Sequence, residues 1–184
     1  MEKKNIVLVS HCLLNPYSQV VSKNRTPFEL KPLLDWLYEN QVGVYQLPCP
    51  EMHIYGLKRW GHVREQFDNN FYRNTSRELL DPVKDHIHEY LNNGYKILGV
   101  LGINGSPSCG VDFSCSSSEW YGEISSIDSI EEKLKELEYV KSKGVFMEEF
   151  ESMHDMNVSI PMYGIQHDNV HDIIKILSFK IRQE

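Results

Sequence analysis

Four cysteines, Cys12, Cys49, Cys109 and Cys115, carry the most pointed chemistry in this sequence, and three of them share a context. Cys12 follows the apolar run NIVLVS (5–10), and Cys49 follows VGVYQL (42–47). Cys109 follows KILGVLG (96–102) and a turn that reads INGSPSCG. Short apolar runs rich in β-branched residues read as buried strands. In a parallel sheet the carboxyl ends of all strands lie on one edge, where open α/β sheets bind ligands. Three thiols far apart in sequence would then converge. Converging thiols suit a soft metal centre: zinc, copper or an iron–sulfur cluster. The C-x-x-C pairs of zinc knuckles and ferredoxins are absent, so spacing alone does not choose among them. Three protein ligands would leave one coordination position open, as catalytic metals require. Cys115 is the alternative fourth ligand that would close it.

The flanking residues add to this picture. The stretch GINGSPSCG (102–110) cannot build a core. Its serines, Ser106 and Ser108, and the amides around Gly105 and Gly110 can hydrogen-bond to sulfur or to an anionic substrate. In LPCPE (47–51), two prolines hold Cys49 in an extended, rigid segment. Glu51 then stands where a carboxylate could activate water as a general base. His11 and His53 lie beside the first two cysteines, which leaves open a hydrolase with Cys109 as nucleophile and a histidine as base. A metal-binding structural or sulfur-carrier protein without turnover is the other alternative.

The elements that must position these residues alternate between strand and helix. Val158–Met162 is a weaker fourth strand, since Pro161 demotes its end. Thr26-Pro27-Phe28-Glu29 has the form of a capping box, with Leu33, Leu34, Leu37 and Tyr38 following at helical spacing and Pro32 marking a kink or a start. Asp81-Pro82 opens a helix bearing Val83, Ile87, Tyr90 and Leu91, stopped by Gly94. Phe146, Phe150 and Met153 form a stripe opposite Glu148, Glu149 and Glu151. Asp168 caps a last helix with Val170, Ile173, Ile174, Leu177 and Ile181. Ile130–Lys143 reads as a solvated helix and Ser114–Ser118 as a loop. The expected fold is α/β, a single Rossmann-like three-layer domain over residues 1–184, with a mainly parallel sheet and the site at its C-terminal strand edge.

Composition narrows the function. The 184 residues carry a formal net charge of −7, which argues against nucleic acid or an anionic membrane as partner. No apolar run is long enough to span a bilayer. MEKKNIVLVSHCLL reads as the first strand of a cytoplasmic protein rather than as a signal peptide, because its apolar stretch is short and broken by Ser10 and His11. Reduced cytoplasmic thiols favour metal binding or catalysis over disulfides.

Taken together, Cys12-Leu13-Leu14, Cys49-Pro50-Glu51 and Ser106-Pro107-Ser108-Cys109-Gly110, in that order and each after a strand, resemble the thiouracil desulfurase (desulfidase) family. The resemblance covers about residues 5–115. It implies a [4Fe–4S] cluster held by Cys12, Cys49 and Cys109, with one iron left to take the sulfur of a small thiocarbonyl substrate. It also implies Glu51 as the catalytic carboxylate and Ser106 as the serine that assists it. No electron need move, and no flavin or nicotinamide site is required. This chain departs from the family pattern after both C-L-L and C-P-E, where it reads NPYSQVVSKNR and MHIYGLKRWGHVRE. It therefore reads as a divergent branch, in which Arg59 and Trp60 take the substrate contacts, Trp60 stacking on a flat ring or else packing in the core.

Overall fold

A computed structural model describes residues 4–22, 29–153 and 159–182. Four strands, β1 (Asn5–Val9), β2 (Gly43–Gln46), β3 (Lys96–Ile103) and β6 (Met162–Ile165), form one sheet in the order β2-β1-β3-β6. All three pairings are parallel. Two shorter strands, β4 (Ser114–Ser116) and β5 (Glu138–Val140), pair antiparallel beside it. The helices are α1 (His11–Leu14), α2 (Lys31–Glu39), α3 (Pro50–Tyr55), α4 (Arg64–Phe67), α5 (Asn70–Asn92), α6 (Ile130–Lys135), α7 (Val145–Glu151) and α8 (Val170–Arg182).

The central strands β1 and β3 are buried on both faces, which is what their unbroken apolar runs require, whereas the edge strand β2 is largely exposed. Alternation along β1 divides its side chains between two cores. Ile6 and Leu8 pack with Leu80, Val83 and Ile87 of α5 and with Phe146, Met147 and Phe150 of α7. Val7 and Val9 pack with Leu33 and Leu37 of α2 and with Val170, Ile173 and Leu177 of α8. This is the expected three-layer α/β arrangement. Among the described residues, no helix is long and apolar enough to cross a membrane.

Several local expectations shift. The fourth strand is Met162–Ile165, beyond Pro161, so the proline precedes the ladder instead of ending it; Val158 lies outside the described residues, as do Thr26, Pro27 and Phe28 of the capping box. Pro82 sits inside α5, which begins twelve residues earlier at Asn70. Asn69 caps it, its Oδ1 accepting from Tyr72 N at 2.9 Å. Tyr72, Ser76, Leu80, Val83 and Ile87 continue one buried stripe through the proline, and tertiary packing overrides the local break. Ser114–Ser116 is a strand and not a loop, and the segment from Ile130 is a short helix followed by β5. Asn169, not Asp168, immediately precedes α8.

Glu149 departs furthest from its expected solvent-facing place, with only 5% of its surface exposed. Two arginines of α5 account for this. Arg73 Nη1 reaches Glu149 Oε1 at 2.6 Å and Arg77 Nε reaches Oε2 at 2.6 Å, while Arg73 and Arg64 also hold Glu148. A buried carboxylate is tolerated when it is paired in this way.

Helix α7 docks directly on the turn after β3. Val145 N donates to Pro107 O (2.9 Å), and Phe146 N and Met147 N donate to Ser108 O (3.0 and 3.3 Å). Gly144 makes this approach feasible, because a Cβ there would stand 2.4 Å from the Ser108 carbonyl and 2.8 Å from Cys109 N. Gly144→Ala is expected to lower stability by about 1–3 kcal/mol through overpacking. Gly61→Ala, where a Cβ meets nothing within 4 Å, should change it by less than about 0.5 kcal/mol. Urea denaturation of the two variants makes the comparison, and equal effects would refute the packing argument.

Candidate active site

The parallel register places the ends of β1, β2 and β3 on one edge. Backbone bonding continues past the strands, with Ser10 N donating to Leu101 O (2.9 Å) and Leu47 N to Val9 O (2.8 Å). Cys12 follows β1 in the first turn of α1. Cys49, extended at φ −110° and ψ 104°, caps α3, and its Sγ accepts from Met52 N at 3.4 Å. Cys109 is buried in the turn after β3.

That turn is tightly tied. Ile103 N donates to Cys109 O (3.0 Å), folding the turn back on its own strand. Ser106 Oγ accepts from Ser108 N (3.2 Å) and Cys109 N (2.9 Å). Asn104 Oδ1 accepts from Val111 N and Asp112 N, and Asn104 N donates to Ile165 O of β6. The amides of Gly105 and Gly110, expected to face a ligand, are committed to Phe113 O and Ser106 O within the turn. Ser108 serves the sulfur as expected: it is fully buried, and its Oγ lies 3.6 Å from Cys109 Sγ. Tyr72, also fully buried, donates its hydroxyl to Ser108 Oγ at 2.8 Å. Tyr72 and Asn104 had no signal in the sequence, the first lying in the polar run NNFYRNTSRE and the second in a glycine turn.

The charges at this edge act on one another. Burial pushes the Cys12 thiol well up, and the charges of Cys109, Cys49 and Glu51 add to the rise. Burial pushes Cys109 up to about 12, again with Cys49 and Glu51 adding, while the hydroxyls of Ser108 and Ser10 pull back. Cys49 is raised by burial and by Glu51, against the Met52 amide and Arg59. Glu51 itself is raised by burial, with Arg59 opposing. Cys115 stands apart on β4: the charge that acts on it is that of Glu65.

Arg59 lies inside this group. Its Nε donates to Glu51 Oε2 (3.0 Å), Nη1 to Gly56 O (3.0 Å) and Nη2 to Ser18 O (2.7 Å). The two residues expected to meet substrate together are thus separated. Arg59 is buried against Glu51, whereas Trp60 is 75% exposed and is not a core residue. His53 is exposed and His11 Nδ1 lies 3.0 Å from Gln46 Nε2, while the hydrogen-bond partner of Cys109 Sγ is Ser108.

Among the described residues, no group of three or more His, Cys, Asp or Glu is gathered closely enough to hold a single metal ion. The donor set is nevertheless soft and shared, and an iron–sulfur cluster takes its thiolates on separate irons. One further atom fits an added group. Ser10 Oγ, buried beside Cys109, makes no hydrogen bond of good geometry, and buried hydroxyls normally have a partner.

The family model described as "Putative 2-thiouracil desulfurase" matches residues 4–155. An uncharacterized protein of Methanocaldococcus jannaschii is 31% identical over 145 residues, which cover 78% of this chain and 90% of that protein. No solved structure matches.

The Cys109 shift has a consequence for the metal-free protein. A thiol that ordinarily titrates near 9.0 titrates near 12 when folded. The folded state therefore binds more protons between those values. Burial of the neutral thiol contributes its full stability below pH 9, and that contribution is lost as pH rises toward 12. The urea midpoint of metal-free protein should fall as pH rises from about 9 toward 12, with a shallower fall in Cys109→Ser. An unchanged slope in that variant would assign the loss to other groups.

Proposed function

Since the chain belongs to the family described as "Putative 2-thiouracil desulfurase", we propose that it hydrolyses the C=S bond of a small thiocarbonyl compound. Water supplies the oxygen of the new C=O bond and both protons of the hydrogen sulfide released, without redox change. What supports this reading is that Cys12, Cys49 and Cys109 each follow a strand of one parallel sheet at its carboxyl edge, with Glu51 two residues beyond Cys49. Cys12, Cys49 and Cys109 would hold a [4Fe–4S] cluster, whose open iron supplies a Lewis acid toward the thiocarbonyl sulfur. Cys115 lies on β4, outside the parallel sheet whose strand ends precede the other three cysteines, and this favours three ligands over four.

The chain's own residues supply the remaining parts. Glu51 Oε2 is fixed by Arg59, which leaves Oε1 to take the proton of the attacking water. Burial raises this carboxyl toward neutrality, the direction that makes a carboxylate a stronger base. Ser106 Oγ is held by two amides of the turn, so its hydroxyl proton points elsewhere and can be given to the substrate. Tyr72 and Ser108 hold Cys109 from behind.

Glu51→Gln keeps the shape of the side chain and removes the base. Sulfide release from 2-thiouracil should fall by about 10²–10⁴-fold, with iron content and substrate affinity nearly unchanged, a loss in the chemical step alone. Cys12→Ser, Cys49→Ser and Cys109→Ser should each lose most iron, while Cys115→Ser keeps it. Anaerobic purification with parallel iron and sulfide assays reads both. Full sulfide release by Glu51→Gln would remove Glu51 from the mechanism, and iron loss in Cys115→Ser would make the site a four-ligand one.

A further inference from the structure

A cavity of about 570 Å³ opens between the segment around Trp60–His62 and the segment from Trp120 to Lys133. Neither the three converging cysteines nor Glu51 lines it. Its size lies within the range of small-molecule pockets, roughly 300–1,000 Å³. Trp60, Trp120, Tyr121, Ile124, Ile127 and Ile130 make its walls predominantly ring and branched aliphatic surface. Several of these residues are exposed, Trp60, Tyr121 and Ile124 most of all. A concave apolar surface left facing water marks a binding site more often than a packing fault. The cavity is also braced, since Trp120 Nε1 donates to Gly61 O at 3.2 Å and so ties its two sides together.

The polar groups in the wall are few and of one kind of use. Lys133 is the cation there, and among the described residues no carboxylate accompanies it in the wall. Its Nζ stands 5.5 Å from the centre of the Tyr121 ring, and its contact with Glu136 is a loose 3.9 Å. The Lys133 side chain is largely withdrawn from solvent, so its charge acts in a partly desolvated place. His62, stacked on Tyr55 at 4.7 Å, keeps Nδ1 buried without a hydrogen-bond partner.

We propose that this cavity binds a planar aromatic anion of one or two fused rings, the rings lying against Trp60 and Tyr121 and the anionic group meeting Lys133. The site is distinct from the thiol centre, so it stands or falls independently of the desulfurase reading, whose readouts are iron and sulfide. The probes are 2-naphthoate and its neutral analogue 2-naphthamide, titrated calorimetrically into the protein as purified. The expected result is one naphthoate per chain. Lys133→Gln should weaken naphthoate by about three- to fivefold and leave naphthamide unchanged. Trp60→Ala should weaken both by about tenfold, and Ile127→Trp, which sets a large ring into the cavity wall, should weaken both as well. Circular dichroism establishes that each variant is folded, and Trp60→Ala carries the test should Ile127→Trp fail to fold. No saturable binding at millimolar naphthoate, or binding untouched by Trp60→Ala, would overturn the proposal. Equal affinity for the two probes would overturn its anionic part. A dimer that buries Trp60 and excludes naphthoate would overturn it in favour of a protein partner.

Discussion

The guanidinium of Arg59 is the fixed point around which the site is assembled. It is the only buried lysine or arginine among the described residues, and it stands where three thiols and a carboxylate share little solvent. With one ion pair and two carbonyl bonds it joins the segment after β1, through Ser18, to α3, through Glu51 and Gly56. A buried pair of this kind adds little net stability. Breaking it leaves an uncompensated charge at a cost of about 3–5 kcal/mol. The pair therefore acts as a constraint on geometry: Glu51 is held only where Arg59 is, and Arg59 is held only where the loops from two strands meet.

The thiols impose the complementary constraint. Burial raises Cys12 and Cys109, and the charges of neighbouring cysteines add to the rise, Cys49 and Cys109 on Cys12 and Cys49 on Cys109, so their thiolates are disfavoured there. The protein answers with hydrogen-bond donors arranged behind the sulfur. Tyr72 gives its proton to Ser108, and Ser108 lies against Cys109. Tyr72 is itself fixed by a ring stack in which Phe67 lies 4.3 Å from it and His62 5.0 Å from Phe67. Rings that begin at the cavity lined by His62 thus end on the hydroxyl behind Cys109.

The layers of the fold were legible because burial on both faces leaves a plain trace. Runs such as IVLV and KILGVLG have no polar side to hide, and parallel pairing then dictates where their ends lie. Cys12, Cys49 and Cys109 could be brought together on that ground alone. What could not be read depends on partners distant in sequence. The start of α5 is set by packing of Tyr72 and Ser76 across a polar stretch, and the burial of Glu149 is set by arginines more than seventy residues away. Arg59 reads locally as a surface cation beside Lys58, and only Ser18 and Glu51 turn it inward. β4 is a run of serines and a cysteine that forms a strand because β5 is there to pair with it.

The turn that carries Cys109 directs its carbonyls, at Pro107 and Ser108, into the first amides of α7. Loop and helix thereby become one mechanical part, with neither able to lengthen without displacing the other. In evolutionary terms this removes the turn from the set of places where new specificity can arise. An insertion tolerated in most surface loops would here pull a core helix off its sheet.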